Sequence, residues 1–156
     1  MSAPVTLPQI SYTAPGFDAA FMASLHEYGF AAVVDHPLDD DRVARIYGEW
    51  LAFFASDGAT EFRMDPVKQD GYFSLEEAEH AKGFVERDFK EYFQFYPWGR
   101  CPESLQADLA SHFAAAVELG AELLNCIARG LPKAVTAELT EPLREMIQGS
   151  EQSMLR

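Results

Sequence analysis

The chain has 156 residues, of which 48% are hydrophobic and 13% aromatic, so it can bury a substantial core and is not a disordered segment. Its 25 acidic residues against 12 Lys and Arg give a net charge of −13, which repels nucleic-acid phosphates and anionic lipid. The composition therefore argues against nucleic-acid binding and against binding to a membrane surface.

The same sequence carries no signal for export or membrane insertion. The N-terminus lacks a basic segment followed by an apolar one, and no apolar run approaches the roughly 20 residues that cross a bilayer. Cys101 and Cys126 lie in different segments without C-x-x-C spacing, which favours two free thiols in a reducing compartment. The sequence predicts a soluble, cytoplasmic protein.

Short strand-like and helical segments alternate at the start of the chain. Residues 5–12 suit a short edge strand, and residues 30–35 are apolar and β-prone throughout, which predicts a strand buried on both faces. Between them apolar residues recur at helical spacing until Gly29 ends the helix. These residues are Phe17, Phe21, Leu25 and Tyr28.

A second helix is predicted to begin at the aspartate run 39–41. Carboxylates at a helix N-terminus accept free backbone N–H groups and suit the helix dipole. A calcium loop is the weaker interpretation, because the central Gly and terminal Glu of that pattern are missing. The helix is supported by apolar residues at helical spacing, namely Val43, Ile46, Tyr47, Trp50, Leu51 and Phe54.

Residues 56–101 show a less regular pattern, with a short helical piece around residues 75–80. The pattern is helical again from Pro102. A long helix from Pro102 to Gly130 and a last helix from about Thr140, with Pro142 in its first turn, lead to a strand-like ending at 153–156. The apolar stripe of the long helix consists of Leu105, Leu109, Phe113, Ala116, Gly120, Leu123 and Ile127. This outline predicts a mixed α/β (α+β) class that is mostly helical with a few short strands.

The segment 81–100 is unusually aromatic. Strand spacing would place Phe93 and Phe95 on one side, with Tyr92 and Tyr96 on the other side or at the strand ends. Six aromatics cannot all be buried on one face, so the cluster is either a pocket wall or interdomain face, or core packing. The six are Phe89, Tyr92, Phe93, Phe95, Tyr96 and Trp98.

No short motif for metal, nucleophilic or nucleotide chemistry occurs in the sequence. None of the four histidines has the H-x-D, H-x-E or H-E-x-x-H spacing, and no nucleophile elbow or phosphate-binding glycine loop is found. Asp35 and His36, at the end of a predicted strand, could be an orienting carboxylate and a base. Adjacent strand residues point to opposite faces, however, so a structural role for His36 is favoured.

The order of several short motifs resembles a known family. A helix ending in GF, a strand ending in Asp35-His36-Pro37 and a helix ending in WLAFF are followed by GYF, DFKEYF, a long helix and SMLR. Together they resemble the N-terminal half of the isopenicillin N synthase-like non-haem iron(II), 2-oxoglutarate-dependent dioxygenases, from about Leu7 to Arg156. Asp35-His36-Pro37 departs from the usual Asn-His-Gly of that family.

The resemblance implies a division of labour between two halves of an enzyme. Residues 1–156 would be an N-terminal domain that packs on a C-terminal double-stranded β-helix, or jelly roll, which is expected after Arg156 and is absent here. In the family that half holds Fe(II) through H-x-D and a distal His, and 2-oxoglutarate through Arg-x-Ser. This chain alone is therefore expected to bind neither cofactor, to supply no metal ligand or catalytic residue, and to be inactive.

The resemblance also implies which residues approach the small organic substrate of the complete enzyme. The segments that match GYF and DFKEYF give Tyr72, Phe73, Lys90 and Phe93 as candidates for substrate contact. Packing against the C-terminal half is the equally weighted alternative for each of them. In the family the histidine at the position of His36 is a fold element and not an iron ligand.

Two alternatives from other functional classes remain at this point. The first is a non-catalytic interaction or scaffold protein that uses the aromatic face around residues 89–98 to bind a partner. The second is an unrelated acid–base enzyme built on Asp35 and His36. The sequence determines neither the substrate nor the oxidative outcome, whether hydroxylation, desaturation or ring closure, nor whether 2-oxoglutarate is required.

Overall fold

The computed structural model of the protein describes residues 6–77, 83 and 89–156. The chain divides into two compact units, one formed by residues 1–38 and 115–149 and the other by residues 39–114 and 150–156. Helix and strand are mixed, as predicted, and helices account for about half of the chain. The predicted packing of this chain on a jelly roll stays a prediction.

The first unit begins with a strand–helix–strand crossover. Strand β1 (Gln9–Ser11) pairs in parallel with β2 (Ala32–Val34), and helix α1 (Phe17–Tyr28) connects them. A parallel pair needs such a crossover because consecutive strands must run in the same direction. Gly29 ends α1 in the left-handed conformation, with φ 80°, as its position in the sequence predicted.

The prediction that residues 30–35 form a strand buried on both faces is wrong. The strand covers Ala32–Val34 only, its residues are half-buried, and Phe30 is 56% exposed. An apolar run shows that a strand can be buried, but tertiary packing decides whether both faces of that strand are buried. The first strand is also shorter than the predicted 5–12 range, of which Val5 lies outside the described residues.

The first unit is completed by the second part of the long helix α3 (Glu103–Gly130), which ends at the predicted glycine, and by two short helices. Helix α4 (Lys133–Thr136) was not predicted. The predicted last helix is instead a 3-10 helix, Leu143–Ile147, with Pro142 at its N-cap. One core cluster of this unit contains the buried side chains Ile10, Phe17, Phe21 and Cys126.

The second unit contains helix α2 (Asp40–Phe54), a 3-10 helix (Asp57–Phe62), strands β3 (Gly71–Phe73) and β4 (Tyr92–Gln94), and the first part of α3. The predicted cap of α2 is confirmed, since the Asp39 carboxylate accepts a hydrogen bond of 3.0 Å from the backbone N–H of Arg42. The predicted helical piece at 75–80 lies partly outside the described residues; residues 75–77 form a turn. The buried core of the second unit consists of Ile46, Phe93, Phe95, Leu105 and Leu109.

Strands β3 and β4 are antiparallel, and β4 is the strand that is buried on both faces. Tyr72 lies opposite Phe93 on one face of the pair, and Phe73 lies opposite Tyr92 on the other. The exposed fractions of Tyr92, Phe93 and Gln94 are only 8%, 4% and 5%. The strand-like ending is confirmed as a single antiparallel bridge between Phe95 and Leu155.

Candidate functional site

An open groove in the second unit has mainly apolar walls and a volume of about 410 Å³. Its lining comes from α2, from β4 and its neighbours, from the first part of α3, and from the 155–156 segment. We call it the aromatic groove. It is lined by Val43, Ile46, Tyr47, Trp50, Leu51, Phe54, Glu91, Tyr92, Phe93, Phe95, Leu109, His112, Leu155 and Arg156.

Helix α2 contributes large apolar side chains that are not covered by this unit. Its apolar residues recur at helical spacing and so lie along one side of the helix. Ile46 is buried in the core, but Tyr47 is 69% and Leu51 is 71% exposed. A contiguous apolar surface of this kind is typical of a binding face, because a lone soluble domain gains by burying it.

The β4 side of the groove is rigidly packed. The ring of Phe93 lies 4.8 Å from that of Trp50, measured between centroids, and the Tyr92 ring stacks on Phe73 at 4.6 Å and 13°. Each aromatic is therefore held from behind by another ring, and the groove surface is preformed. A preformed apolar concavity with few polar groups is the usual form of a small-molecule site.

The start of β3, the pairing partner of β4, is anchored by an ion pair between Asp70 and Arg100. The Asp70 carboxylate is almost fully buried and accepts hydrogen bonds from the Arg100 backbone N–H at 2.7 Å and from its Nε at 3.3 Å. Arg100 also donates to the backbone carbonyl of Arg63 at 2.8 Å. These bonds fix the start of β3, which pairs with β4 beside the groove.

Glu91 brings a carboxylate to the groove, and Tyr72 holds it. The Tyr72 hydroxyl donates a short hydrogen bond to Glu91 Oε2. This bond, together with burial and the nearby carboxylates, raises the pKa of Tyr72 to about 12. The tyrosine therefore remains a hydrogen-bond donor through the physiological pH range and keeps the Glu91 carboxylate oriented.

Arg156 also lines the groove and packs on the ring of Tyr92. Its Cζ lies 4.4 Å from the centroid of the Tyr92 ring, and Lys90 Nζ lies 5.7 Å from the same centroid. Arg156 Nη2 also donates a hydrogen bond of 2.8 Å to the side-chain oxygen of Gln94, when the amide of Gln94 is oriented so that its oxygen faces Arg156. Arg156 is thus held beside Tyr92 and Gln94, whereas the Glu91 carboxylate is held by Tyr72.

His112 is a further ionisable residue of the lining. Its Nδ1 is buried and has no hydrogen-bond partner among the residues that the structure describes. His112 is half-buried next to Phe113, which packs on the core.

The structure brings the four predicted substrate-contact residues close to the groove by different routes. Phe93 lines it directly. Tyr72 bonds to the lining residue Glu91, while Phe73 and Lys90 both contact the ring of Tyr92. Their contact with a substrate stays a prediction, and so does the alternative of packing against another part of the protein.

The aromatic face around residues 89–98 is not a continuous exposed surface. Phe89 is 95% and Trp98 is 45% exposed, whereas the four aromatics between them are each at most 8% exposed. Phe93 and Phe95 belong to the core, and Tyr96 stacks on Trp98 at 4.6 Å. Strand pairing and α2 together cover both faces of this segment, which the spacing alone did not reveal.

Sequence reasoning missed the exposed side of α2 and the presence of Glu91 and Arg156 in the groove lining. The spacing of Tyr47 and Leu51 predicted the helix but did not show whether these side chains are buried or exposed. Glu91 stands between two predicted site residues, Lys90 and Tyr92, and this position was the available signal. Nothing in the sequence linked it to Arg156, which is 65 positions away.

No group of three or more His, Cys, Asp or Glu side chains that could hold a metal ion is found within residues 6–77, 83 and 89–156. Asp35 is exposed with φ 55°, and His36 is half-buried. Both residues are described, and no hydrogen bond joins their side chains; His36 Nδ1 is buried without a partner in the described chain. The structure therefore lends no support to an acid–base pair at this position.

No helix within the described ranges is long and apolar enough to cross a membrane.

Among the comparisons with known proteins, the comparison with solved structures gives matches. No protein-family model matches the chain, and no curated protein matches it.

Solved structures do match. A 2.20 Å crystal structure of a "putative oxygenase" from Shewanella oneidensis is 39% identical in sequence to this chain and superposes with a TM-score of 0.86. The match covers 96% of this chain and 54% of the Shewanella protein. The chain thus spans about half the length of that protein.

Proposed function

We propose that this chain is the N-terminal portion of an oxygenase that oxidises a small organic substrate, within the isopenicillin N synthase-like, Fe(II)- and 2-oxoglutarate-dependent class. The observation that carries the proposal is the similarity to the Shewanella protein, which extends over nearly the whole chain at 39% identity. The motif order from Leu7 to Arg156 supports the finer assignment. The partner of this portion would be a C-terminal jelly roll.

We find no support for an iron site in the part of the chain that the structure describes. The described part of the chain offers no cluster of three metal-ligating side chains, and a facial triad needs two His and one carboxylate. The proposal therefore places the ligands of Fe(II) and 2-oxoglutarate outside residues 1–156.

The contribution of this chain would be to bind and orient the substrate. The apolar lining of the aromatic groove would exclude water and hold the apolar part of an organic molecule, since burial of apolar area is favourable. The exposed Tyr47 and Leu51 would be covered by the substrate or by the C-terminal half. This covering explains why α2 presents large apolar side chains to solvent.

The test is oxygen consumption by the complete gene product. We expect consumption that requires Fe(II) and increases with 2-oxoglutarate, while residues 1–156 alone consume none and bind no stoichiometric Fe(II). Consumption with Fe(II) but without any effect of 2-oxoglutarate would retain the oxygenase and reject the cosubstrate.

Two results would contradict the proposal. Absence of iron-dependent oxygen consumption by the complete protein would reject the oxygenase. A tight, stoichiometric Fe(II) site on residues 1–156 would reject the placement of the ligands outside this chain.

A further inference from the structure

We propose that the aromatic groove binds a small organic cation, a protonated amine on an apolar body, with its ammonium group on Glu91. The inference deepens the proposed function and rests on it, because it treats the groove as a wall of the substrate site and names the substrate class. The feature that carries it is a carboxylate in the lining of an apolar groove, oriented by a neutral donor.

Glu91 lies on the side of β4 that packs on α2. It precedes the strand at a position that alternates with Phe93, and the Tyr72 hydroxyl, on the Phe93 side, donates to its Oε2. Between ring centroids, Phe93 lies 4.8 Å from Trp50 of α2. The Tyr72 ring lies 6.0 Å from that of Phe54, one turn further along the same helix. The Glu91 carboxylate therefore shares its side of the strand with the apolar wall that α2 provides.

The charge of Glu91 is not neutralised within the described part of the chain. One carboxylate oxygen accepts from the Tyr72 hydroxyl, a neutral donor that fixes the orientation of the group. The other oxygen, Oε1, has no hydrogen bond or ion pair with any described residue. Lys90 and Arg156 contact the ring of Tyr92, which points to the opposite side of the strand. A charge-assisted hydrogen bond from a ligand ammonium would complete the coordination of this carboxylate.

The apolar body of the ligand is specified by helix α2. Trp50, Leu51 and Phe54 line the groove, and Leu51 is 71% exposed. A volume of about 410 Å³ lies within the range of small-molecule sites, at its lower end. An aliphatic or aromatic group would gain from burial there, whereas a strongly polar one would lose its hydration without compensation.

A neutral or anionic ligand of the same shape fits this arrangement less well. A neutral hydroxyl can donate to Glu91 but does not balance its charge. An anion would lie beside the Glu91 carboxylate and in the field of a chain with net charge −13. A cation is attracted both by Glu91 and by this field. Electrostatic complementarity of this kind decides between ligands more strongly than it adds affinity.

The test compares three probes of one shape by isothermal titration calorimetry on the complete protein. The probes are 2-phenylethylamine, a cation, 2-phenylethanol, its neutral counterpart, and 3-phenylpropionate, an anion. We expect the amine to bind roughly tenfold more tightly than the alcohol, because its hydrogen bond to Glu91 is charge-assisted, and the acid to bind most weakly. Equal binding of the amine and the alcohol would overturn the inference. Absence of binding by all three, as expected if the C-terminal half covers the groove, would overturn it as well.

One variant assigns the preference for the amine to its residue. Glu91→Gln should abolish the preference for 2-phenylethylamine over 2-phenylethanol, and the exposure of this side chain means that the fold should be retained. Glu49→Gln removes a matched carboxylate from an exposed position of α2 outside the groove lining and should leave the preference unchanged. A preference that survived Glu91→Gln, or was lost equally in Glu49→Gln, would show that Glu91 does not hold the ammonium group.

A second variant tests the place of the apolar body. Leu51→Ala should weaken the binding of all three probes by a similar factor, roughly threefold, and leave the preference for the amine unchanged, because the lost contact is apolar. Val67→Ala shortens an apolar side chain that is 91% exposed outside the lining and is the matched control. Unchanged binding in Leu51→Ala would contradict the placement of the apolar body against α2.

Tyr72 is a positioning residue, and its variant gives a separate readout. Tyr72→Phe should reduce the preference for the amine over the alcohol by roughly threefold to tenfold, because Glu91 loses the hydrogen bond that orients it. A merely structural role would lower the affinity for all three probes alike, and that result would remove Tyr72 from the inference.

The inference and the proposed function can fail separately. Iron-dependent oxygen consumption by a protein that does not prefer the amine would overturn the inference and leave the oxygenase standing. The expected binding pattern without any iron-dependent oxygen consumption would confirm the ligand chemistry of the groove and reject the oxygenase.

Discussion

The two units of this chain use their apolar helices in different ways. In the first unit, α1 buries Phe17 and Phe21 against Ile10 and Cys126. In the second unit, α2 buries Ile46 but exposes Tyr47 and Leu51 along the same side. Helix α1 therefore contributes to a closed core, whereas α2 contributes both to a core and to the wall of an open groove.

The charged groups of the two units also differ, namely in how far they form ion pairs within their own unit. Arg129 in the first unit is saturated by its own unit, with Nε 2.6 Å from Asp18 and Nη2 3.2 Å from Glu122. Although the second unit also forms internal ion pairs, such as that of Arg45 with Asp108, Glu91 at the groove is held by the neutral Tyr72. The Tyr72 hydroxyl orients the Glu91 carboxylate without neutralising its charge, whereas Asp18 and Glu122 are paired with a guanidinium.

The largest effect that would sharpen this comparison is on stability. Phe93→Ala should lower the free energy of unfolding by about 3–5 kcal/mol, because Phe93 is 4% exposed at the centre of the core. Leu51→Ala, at 71% exposure, should change it by no more than about 0.5 kcal/mol. Urea unfolding of the two variants measures both values, and a large cost for Leu51→Ala would show that α2 is already covered.

A smaller effect is expected from the ion network of the first unit, and it depends on pH. The hydrogen bond from Arg129, with that from Cys126, holds the pKa of Asp18 below its usual value of 3.8. A lowered folded-state pKa stabilises the protein above the unfolded-state pKa, and this stability is lost as the pH falls through the folded-state value.

Asp18→Asn should therefore be less stable than the parent protein at pH 7, by at most about 1 kcal/mol because the pair is half-exposed. The difference should decrease as the pH falls below the ordinary value of 3.8, and thermal unfolding across pH 2–7 measures it. Glu138→Gln, an exposed carboxylate of the same unit, is the control. A difference that persisted unchanged at pH 2 would exclude the ionised carboxylate as its cause.

The smallest effect on the fold concerns the two thiols. Burial raises the pKa of Cys101 to about 11, and burial with the Asp18 carboxylate raises that of Cys126 to about 11. Against an ordinary value near 9, each carries roughly 100-fold less thiolate at pH 8, so alkylation by iodoacetamide should slow by a similar factor relative to unfolded protein. Cys101 should react before Cys126, which is 1% exposed. Mass spectrometry over time measures both rates, and alkylation at the unfolded rate would contradict the burial of these thiols.

Several elements followed from local pattern alone. The bounds of α1, the Asp39 cap of α2 and the end of α3 at Gly130 were predictable, because a helix is specified by spacing and capping within a few residues. The four candidate contacts fell on or beside the groove because the resemblance covered that part of the chain. The last helix was misjudged because a proline start is compatible with α and 3-10 geometry alike.

By itself, the sequence determined where the helices lie, which side chains are apolar and that the chain is strongly acidic. Tertiary structure alone decided that β4 and not β2 is buried on both faces, and that Tyr47 and Leu51 face an open groove. It also brought Arg156 onto the ring of Tyr92. The physical reason is that burial and charge pairing depend on which distant segments meet, whereas helix formation depends on neighbours within one turn.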